Sequence, residues 1–233
     1  GEILTMVSRR EHLADIGVNF AAFGVKFEDI GTFAAHVRSF DIGEIQETNE
    51  FSGGESVGTF SPTFFTVGAT YGRAMTDQIR VGVTTNVTNE SFANISSTSV
   101  TFDAGVQYGT FLGFQGLNIG VSVRNIGTST AYDGSGLLNP ASSQGSNRPP
   151  TQFKVVTADA DIPTTVDLSV EYNVWQGLTV HTTYSENTYK PSELHGQLSY
   201  NFRDLITVRG AYTQGLEDRG VLESPYEDRP SFG

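Results

Sequence analysis

Apolar and polar residues alternate strictly in many segments of this chain, and this pattern limits its fold more than any other feature. In 99–109, apolar side chains occupy every second position, with Thr, Asp, Gly and Gln between them. Successive side chains of a β-strand point to opposite faces, so the pattern predicts strands with one apolar and one polar face. It recurs in 63–74, 79–88, 117–124, 166–174, 194–203 and 206–213, and more weakly in 3–10, 14–27, 32–45 and 178–186. The sequence therefore predicts an all-β protein with about eleven strands.

Alternation alone does not identify the solvent, because antiparallel sheets of soluble proteins also alternate. Two observations favour a membrane. Charged residues make up only 17% of the chain, against roughly 25% in ordinary soluble domains. Tyrosines on the apolar face lie mostly near strand ends, as in the aromatic girdles of membrane barrels. No apolar run approaches the roughly 18 residues of a spanning helix, so a membrane-spanning form would be a closed antiparallel barrel.

The connections differ in length in a regular way. Short turns are predicted near 28–31, 76–78, 111–116, 175–177 and 203–205, and long loops near 46–62, 89–98, 128–163 and 187–193. One rim of short turns and one of long loops is typical of bacterial outer-membrane barrels, whose short turns are periplasmic. The prediction is a multi-pass protein of the bacterial outer membrane, in contact with its lipid.

Each predicted strand assigns its residues to the lipid or to the lumen. The predicted lipid-facing residues are Phe65, Val67, Tyr71, Val81, Val83, Phe102, Val106, Tyr108, Ile119, Val121, Leu168, Val170, Tyr172, Leu198, Tyr200, Val208 and Tyr212. The predicted lumen-facing polar network consists of Arg38, Arg80, Asp103, Arg124, Asp167, Glu171, His195, Arg203 and Arg209. Because buried charges must be paired, we expect these side chains to interlock and close the lumen. An open channel that selects anionic or polar solutes is the alternative.

No motif in the chain predicts catalysis, a metal site or a cofactor. There is no cysteine, the four histidines lack ligand spacing, and no G-x-S-x-G sequence occurs. The formal net charge of −12 argues against nucleic acid as a partner. We interpret the acidic residues as solvated loops, with Ca²⁺ bridging or a cationic partner as the alternative.

Three segments resemble the PorV/PorQ family of outer-membrane proteins, within the wider group of FadL-like barrels. They are EHLADIGVNFAAFGVKFEDIGTFAAHVRSFDIGEI (11–45), GATYGRAMTDQIRVGVTTNVTNES (68–91) and SVTFDAGVQYGTFLGFQGLNIGVSVRNIGTSTAYDG (99–134). The resemblance implies a single barrel domain with about fourteen strands when complete, preceded by a hatch segment that enters the barrel. The expectation is that this chain lacks that N-terminal hatch and about three closing strands.

The same resemblance implies a role in type IX secretion. A PorV-like barrel binds the C-terminal signal domain of exported cargo and carries it to the surface attachment complex, and a PorQ-like barrel belongs to that attachment machinery. The long loops 46–62 and 128–163 would contact these secretion-system or cell-surface proteins. Two alternatives stay open: FadL-like transport of hydrophobic small molecules, and a membrane anchor for another surface assembly.

Overall fold

The computed structural model of the chain describes residues 1–11, 16–48, 53–141, 151–203, 205–216 and 231–232. Its strands are β1 Glu2–Glu11, β2 Gly17–Phe27, β3 Gly31–Asp41, β4 Ile45–Thr48, β5 Ser56–Phe60, β6 Thr63–Ala74, β7 Ile79–Phe92, β8 Ile95–Tyr108, β9 Leu117–Gly127, β10 Leu138–Ala141, β11 Thr151–Lys154, β12 Thr165–Trp175, β13 Leu178–Asn187, β14 Glu193–Phe202, β15 Ile206–Gly215 and β16 Ser231–Phe232. Only two 3-10 turns, Phe111–Gly113 and Ser135–Leu137, interrupt the described strands and loops. None of the described residues forms a helix long and apolar enough to cross a membrane.

Eleven long strands form one antiparallel sheet in the order β1-β2-β3-β6-β7-β8-β9-β12-β13-β14-β15, and the short β16 adds to β15 at two positions. Every long strand therefore pairs with the next long strand along the chain. The other four strands form two small sheets, β4 with β5 and β10 with β11, between long strands. The predicted all-β class and eleven strands are confirmed. Residues 14–15 of one predicted strand, and 49–52 and 142–150 of two predicted loops, lie outside the described residues.

The predicted long loop at 89–98 is wrong. Strands β7 and β8 contain 14 residues each and are joined by a turn of only Ala93 and Asn94. The polar composition of 89–98 is typical of a loop, but these residues pair across the hairpin. Asn89 Nδ2 donates a hydrogen bond to Thr98 Oγ1 at 3.0 Å, and Ala93 takes a φ of +46° to close the turn. The hairpin thus extends the sheet at the long-loop rim.

Strand register sorts the side chains into two continuous faces. Val37, Val67, Val87 and Val100 lie directly opposite one another on four neighbouring strands. One residue further along, a second row contains His36, Gly68, Asn86 and Thr101. The valine row is exposed, whereas Gly68, Asn86 and Thr101 are buried. We call these two surfaces of the sheet the apolar face and the polar face.

Burial is the reverse of that in a water-soluble β-protein. Among the residues that the structure describes, no large apolar side chain is buried. The buried polar side chains are Thr66, Asn86, Ser97, Thr101, Asp167 and Ser192. A soluble sheet instead turns its apolar face inward, and soluble monomers rarely expose contiguous apolar patches larger than a few hundred Å². The five of these residues that lie on long strands, all but Ser192, belong to the polar face.

Arginine substitutions of neighbouring residues on the two faces test this assignment. In lipid, we expect Leu198→Arg on the apolar face to lower the free energy of unfolding by about 2–4 kcal/mol, since a charge would enter hydrocarbon. The adjacent Gln197→Arg on the polar face should cost less than about 1 kcal/mol. Denaturant titration of both variants in phospholipid vesicles measures the difference. Equal costs for the two variants would contradict the assignment of the faces.

Candidate functional site

Asp167 is the centre of the best-connected polar cluster on the sheet. The residue is only 8% exposed and lies on β12, between β9 and β13. Ser122 Oγ donates a hydrogen bond to Asp167 Oδ2 at 3.1 Å, and Arg124 Nε lies 2.7 Å from the same oxygen. Ser185 Oγ donates to Asp167 Oδ1 from the other side. One buried carboxylate thus joins three strands through charge-assisted bonds.

A second cluster surrounds Glu171, which follows Asp167 on β12 and lies closer to the short-turn rim. Asn118 Nδ2 donates to Glu171 Oε1 at 2.9 Å, and His181 Nδ1 lies 4.0 Å from Glu171 Oε2. The other ring nitrogen of His181 lies 2.9 Å from Thr183 Oγ1. Arg80, Asn118, Glu171 and His181 contribute to the lining of a cavity of about 180 Å³. The polar face therefore encloses some space between its side chains.

Asp103 stabilises an irregular part of the sheet. The register between β8 and β9 shifts between Phe102 and Ala104. Asn125, with a φ of +58°, donates its backbone N–H to Asp103 Oδ1 at 2.7 Å. Asn86 Nδ2 donates to the other oxygen at 2.9 Å. The carboxylate thus satisfies a backbone group that the regular ladder leaves without a strand partner, as bulges require.

The structure distributes the nine residues of the predicted polar network unevenly. Register places eight of them on the polar face: Arg38, Arg80, Asp103, Arg124, Asp167, Glu171, His195 and Arg209. Only Arg124 and Asp167 pair directly with each other among these eight. His195 instead contacts Glu193, with Nε2 3.3 Å from its carboxylate, and Thr213. The described part of the network consists of local clusters rather than one interlocked set.

The placement of Arg203 on the polar face is wrong. Strand β14 ends at Phe202, and Arg203 lies in the following turn with a φ of +50°. Its guanidinium lies over the Phe202 ring, 5.4 Å from the centroid, and Phe202 belongs to the apolar face. The turn begins one residue earlier than the alternation predicts, so the side chain leaves the polar face.

The predicted lipid-facing residues share one surface. Register places all seventeen on the apolar face, and none of them is buried. The description of this surface as lipid-facing depends on the membrane proposal below.

Segment 128–163 folds back onto the β7–β8 hairpin at the long-loop rim. Ser96 and Asp133 exchange both backbone hydrogen bonds, at 2.8 and 2.9 Å. Lys154 Nζ lies 2.6 Å from Asp133 Oδ1, and this bond keeps the pKa of the Asp133 carboxyl below its usual value. Gly134, at a φ of +150°, passes so close to Asn94 O that a side chain would clash with it. The described part of this segment is an ordered structure attached to the sheet.

Aromatic rings continue this attachment onto the polar face. Phe40, Phe64, Phe92 and Tyr132 form a chain of neighbouring rings, with centroids 6.3, 5.1 and 6.1 Å apart, which we call the aromatic seam. The Tyr132 hydroxyl donates to Glu90 Oε2. Burial, and then the hydrogen bond to Glu90, raise the pKa of Tyr132 to about 12. The neutral phenol, and with it this contact, is therefore retained at all physiological pH values.

The sequence interpretation missed the aromatic seam. Its phenylalanines occupy polar-face positions near strand ends, at the long-loop end of β3, β6 and β7. Phenylalanine at these three strand ends was a signal in the sequence that could have indicated the seam. The contact with Tyr132 had no such signal, because Phe92 and Tyr132 are 40 residues apart in the sequence.

Comparisons with known proteins add no family to this description. No protein-family model matches the chain, and no curated protein sequence is significantly similar to it. In the described part of the chain, no group of three or more His, Cys, Asp or Glu side chains is arranged to hold a metal ion.

Removing the Asp167 carboxylate tests the first cluster. We expect Asp167→Ala to lower the free energy of unfolding by about 2–4 kcal/mol, because Arg124 and two serine hydroxyls lose their acceptor. Asp161→Ala removes the same charge from an exposed position and should change stability by less than about 0.5 kcal/mol. Denaturant titration in detergent measures both. Matching values for the two variants would show that the Asp167 cluster does not stabilise the sheet.

Limited trypsin digestion tests the attachment of segment 128–163. Its two basic residues are Arg148, which precedes Pro149 and resists trypsin, and Lys154. We expect Tyr132→Ala to speed cleavage after Lys154 about tenfold, since the ring contact and the hydroxyl bond are both lost. Tyr132→Phe, which retains the ring, should give a smaller increase.

Tyr189→Ala removes an equally sized side chain from another exposed loop and is the matched control. Its cleavage rate after Lys154 should equal that of the unchanged protein. If Tyr132→Ala is also cleaved at that rate, Tyr132 does not hold the segment.

Proposed function

We propose that this chain forms an outer-membrane β-barrel of the PorV/PorQ type, whose long-loop rim docks secreted or cell-surface proteins. The reversed burial is the observation that carries the membrane part. The apolar face is exposed on all eleven long strands, and every buried side chain of the described long strands belongs to the polar face. Lipid-spanning barrels have this arrangement, with apolar residues outward and polar residues inward.

Backbone hydrogen bonding supports closure of the sheet. In lipid, every backbone polar group needs an internal partner, so a spanning sheet has to close on itself. Eleven alternating strands leave β1 and β15 running in the same direction. To close the sheet with antiparallel pairs, an odd number of further strands has to follow β15 before the sheet returns to β1. Strand β16, which pairs with β15, lies at the first of these positions.

The two small sheets support docking at the long-loop rim. Strands β4 and β5 lie between β3 and β6, and β10 and β11 lie between β9 and β12, so both sheets belong to this rim. They and the residues directly after β11 expose large apolar side chains outside the long strands: Ile45, Val57 and Phe153 in the small sheets, and Val156 after β11. Exposed apolar groups on surface loops are typical of protein contact sites. Recognition of this kind needs no catalytic residue.

The aromatic seam favours a second candidate function, the transport of hydrophobic small molecules. It places apolar rings on the polar face, under segment 128–163. A greasy molecule entering from the long-loop rim would meet these rings first. The local charge clusters further along the same face argue against an apolar path through the sheet. Uptake of a fluorescent fatty acid by vesicles that contain the protein measures this activity directly.

Purification of the tagged, full-length protein from its native outer membrane tests the docking proposal. We expect it to retain exported proteins that carry a C-terminal secretion domain. Val156→Asp, at a side chain that is 87% exposed, should reduce the retained cargo about tenfold, because a charge would enter an apolar contact.

Asn139→Asp adds the same charge to an exposed polar position of β10, in the small sheet that precedes Val156, and should leave retention unchanged. Retention of no secretion-domain protein by the unchanged chain, together with fatty-acid uptake, would replace the docking proposal with transport.

A further inference from the structure

We propose that the short-turn rim itself is a lipid-binding surface, with its turns placed at the interface between water and the membrane leaflet on the short-turn side. This inference rests on the proposed membrane barrel and adds which residues hold the rim in the bilayer. It concerns the turns, which in a spanning barrel would otherwise be expected to carry mainly polar residues.

Each short turn in the described part of the sheet has an exposed large apolar side chain in it or directly beside it. These residues are Ile30, Met75, Leu112, Phe114, Trp175 and Leu205, and each is more than half exposed. Five lie in the connections β2–β3, β6–β7, β8–β9 and β14–β15, and Trp175 is the last residue of β12, directly before the β12–β13 connection. The apolar surface therefore does not stop where the strands stop.

Aromatic residues of the apolar face bind these turns directly. The Tyr71 hydroxyl donates to Ile30 O at 2.7 Å, and the Tyr108 hydroxyl donates to Gln78 Oε1 at 3.2 Å. The Phe111 ring packs edge-on against Tyr108, with centroids 5.5 Å apart. Tyrosines with an apolar ring and a bonded hydroxyl are typical of the membrane interface. They make the turns and the apolar face one continuous surface.

A β-bulge turns Trp175 onto the same surface. The register between β12 and β13 shifts between Asn173 and Trp175, so Trp175 lies opposite Leu178. Leu178 pairs with Tyr200 on the apolar face. Without the bulge, the alternation of β12 would place Trp175 on the polar face. Bulges often re-aim a side chain in this way, and tryptophan is the residue most enriched, with tyrosine, at membrane interfaces.

Arg203 adds a cation at the same level. Its guanidinium lies over the ring of Phe202 on the apolar face. Long basic side chains next to an apolar surface commonly extend their charge to the lipid headgroups while their stems cover the apolar groups. Arg203, which leaves the polar face, can thus place its charge at the lipid headgroups from this rim.

The opposite end of the apolar face is polar. One row near the long-loop rim contains Asn19, Ser39, Phe65, Asn89 and Thr98, all in register. Asn89 and Thr98 are hydrogen-bonded to each other on this face. Four polar residues in a row of five place this end in water rather than hydrocarbon.

The height of the apolar band brings the turns into the membrane. On β7 the apolar positions run from Ile79 to Val87 and end at Asn89. At about 3.3 Å per residue and a tilt of about 40°, that span rises roughly 20 Å, whereas barrel hydrocarbon bands are about 25 Å tall. Since the band cannot extend past Asn89, the missing height has to come from the short turns.

Lipid fits this surface better than a protein partner does. The exposed apolar residues are distributed over every described short turn along the sheet. A protein would cover one arc of the rim and leave the others exposed to water. A bilayer contacts the whole circumference at one depth.

The chain contains a single tryptophan, so Trp175 fluorescence reports on this rim alone. The full-length protein, with any tryptophan outside this chain replaced by phenylalanine, is folded into phosphatidylcholine vesicles with bromine atoms near either the headgroup end or the methyl end of the acyl chains. We expect headgroup-end bromines to reduce the emission about twofold or more, and methyl-end bromines to reduce it less.

The matched control is Trp175→Phe combined with Tyr132→Trp, which moves the probe to the long-loop rim and should abolish quenching. Val156→Trp in place of Tyr132→Trp provides the same control if the first variant does not fold. Protection of the strands from protease measures insertion separately. Unquenched Trp175 in inserted protein, or stronger quenching by methyl-end bromines, would overturn the inference. Failure to insert would instead contradict the proposed membrane barrel.

Discussion

The backbone ladder of the large antiparallel sheet is the constraint on which the rest of the structure depends. Because side chains alternate with a period of two, one pairing register puts all apolar residues on one face and all polar residues on the other. The valines at 37, 67, 87 and 100 meet on four strands only in this register. A slip by one residue would place them among His36, Gly68, Asn86 and Thr101. Such a slip would exchange apolar and polar side chains between the two faces, which is unfavourable whether the apolar face contacts lipid or water. This cost fixes the pairing register.

The polar face then has to satisfy its own hydrogen-bonding groups, and the structure does so cluster by cluster. Asp167 receives bonds from two neighbouring strands, and Glu171 and Asp103 each connect groups that are far apart in sequence. Gly68 leaves the room that the His36 ring and the Asn86 side chain occupy above it. Buried charges are tolerated only with such partners. This local pairing explains how the buried polar groups of this face are satisfied without a single continuous network.

Most of the sheet could be predicted from the sequence, because local residue patterns show both the two-residue period of each strand and the order of the strands along the chain. The errors occurred where composition and local pattern disagreed with pairing. Residues 89–98 are rich in Asn and Ser, yet Asn89 and Thr98 pair across a hairpin that composition does not reveal. Arg203 continued the alternation of β14, but its strand had already ended. The aromatic seam and the attachment of Tyr132 could not be predicted, since they depend on contacts between distant segments. The bulge that re-aims Trp175 is likewise a property of pairing between β12 and β13.

The two ends of the apolar face determine where such a sheet can lie in a bilayer. A shift of the sheet toward its short-turn side would draw Asn89 and Thr98 into hydrocarbon, which is costly for polar groups. It would also move Leu112, Trp175 and Leu205 into water and lose their burial, which contributes about 25 cal/mol for each Å² of apolar surface. A shift toward the long-loop side would instead expose the valine row to water and draw the charge of Arg203 into hydrocarbon. Both displacements are unfavourable, so the position is set from both sides. In the proposed barrel, the small sheets β4–β5 and β10–β11 would lie beyond the membrane on the long-loop side, where a partner protein could reach them. The proposal thereby separates lipid contact and protein contact onto opposite rims by the same alternation that forms the strands.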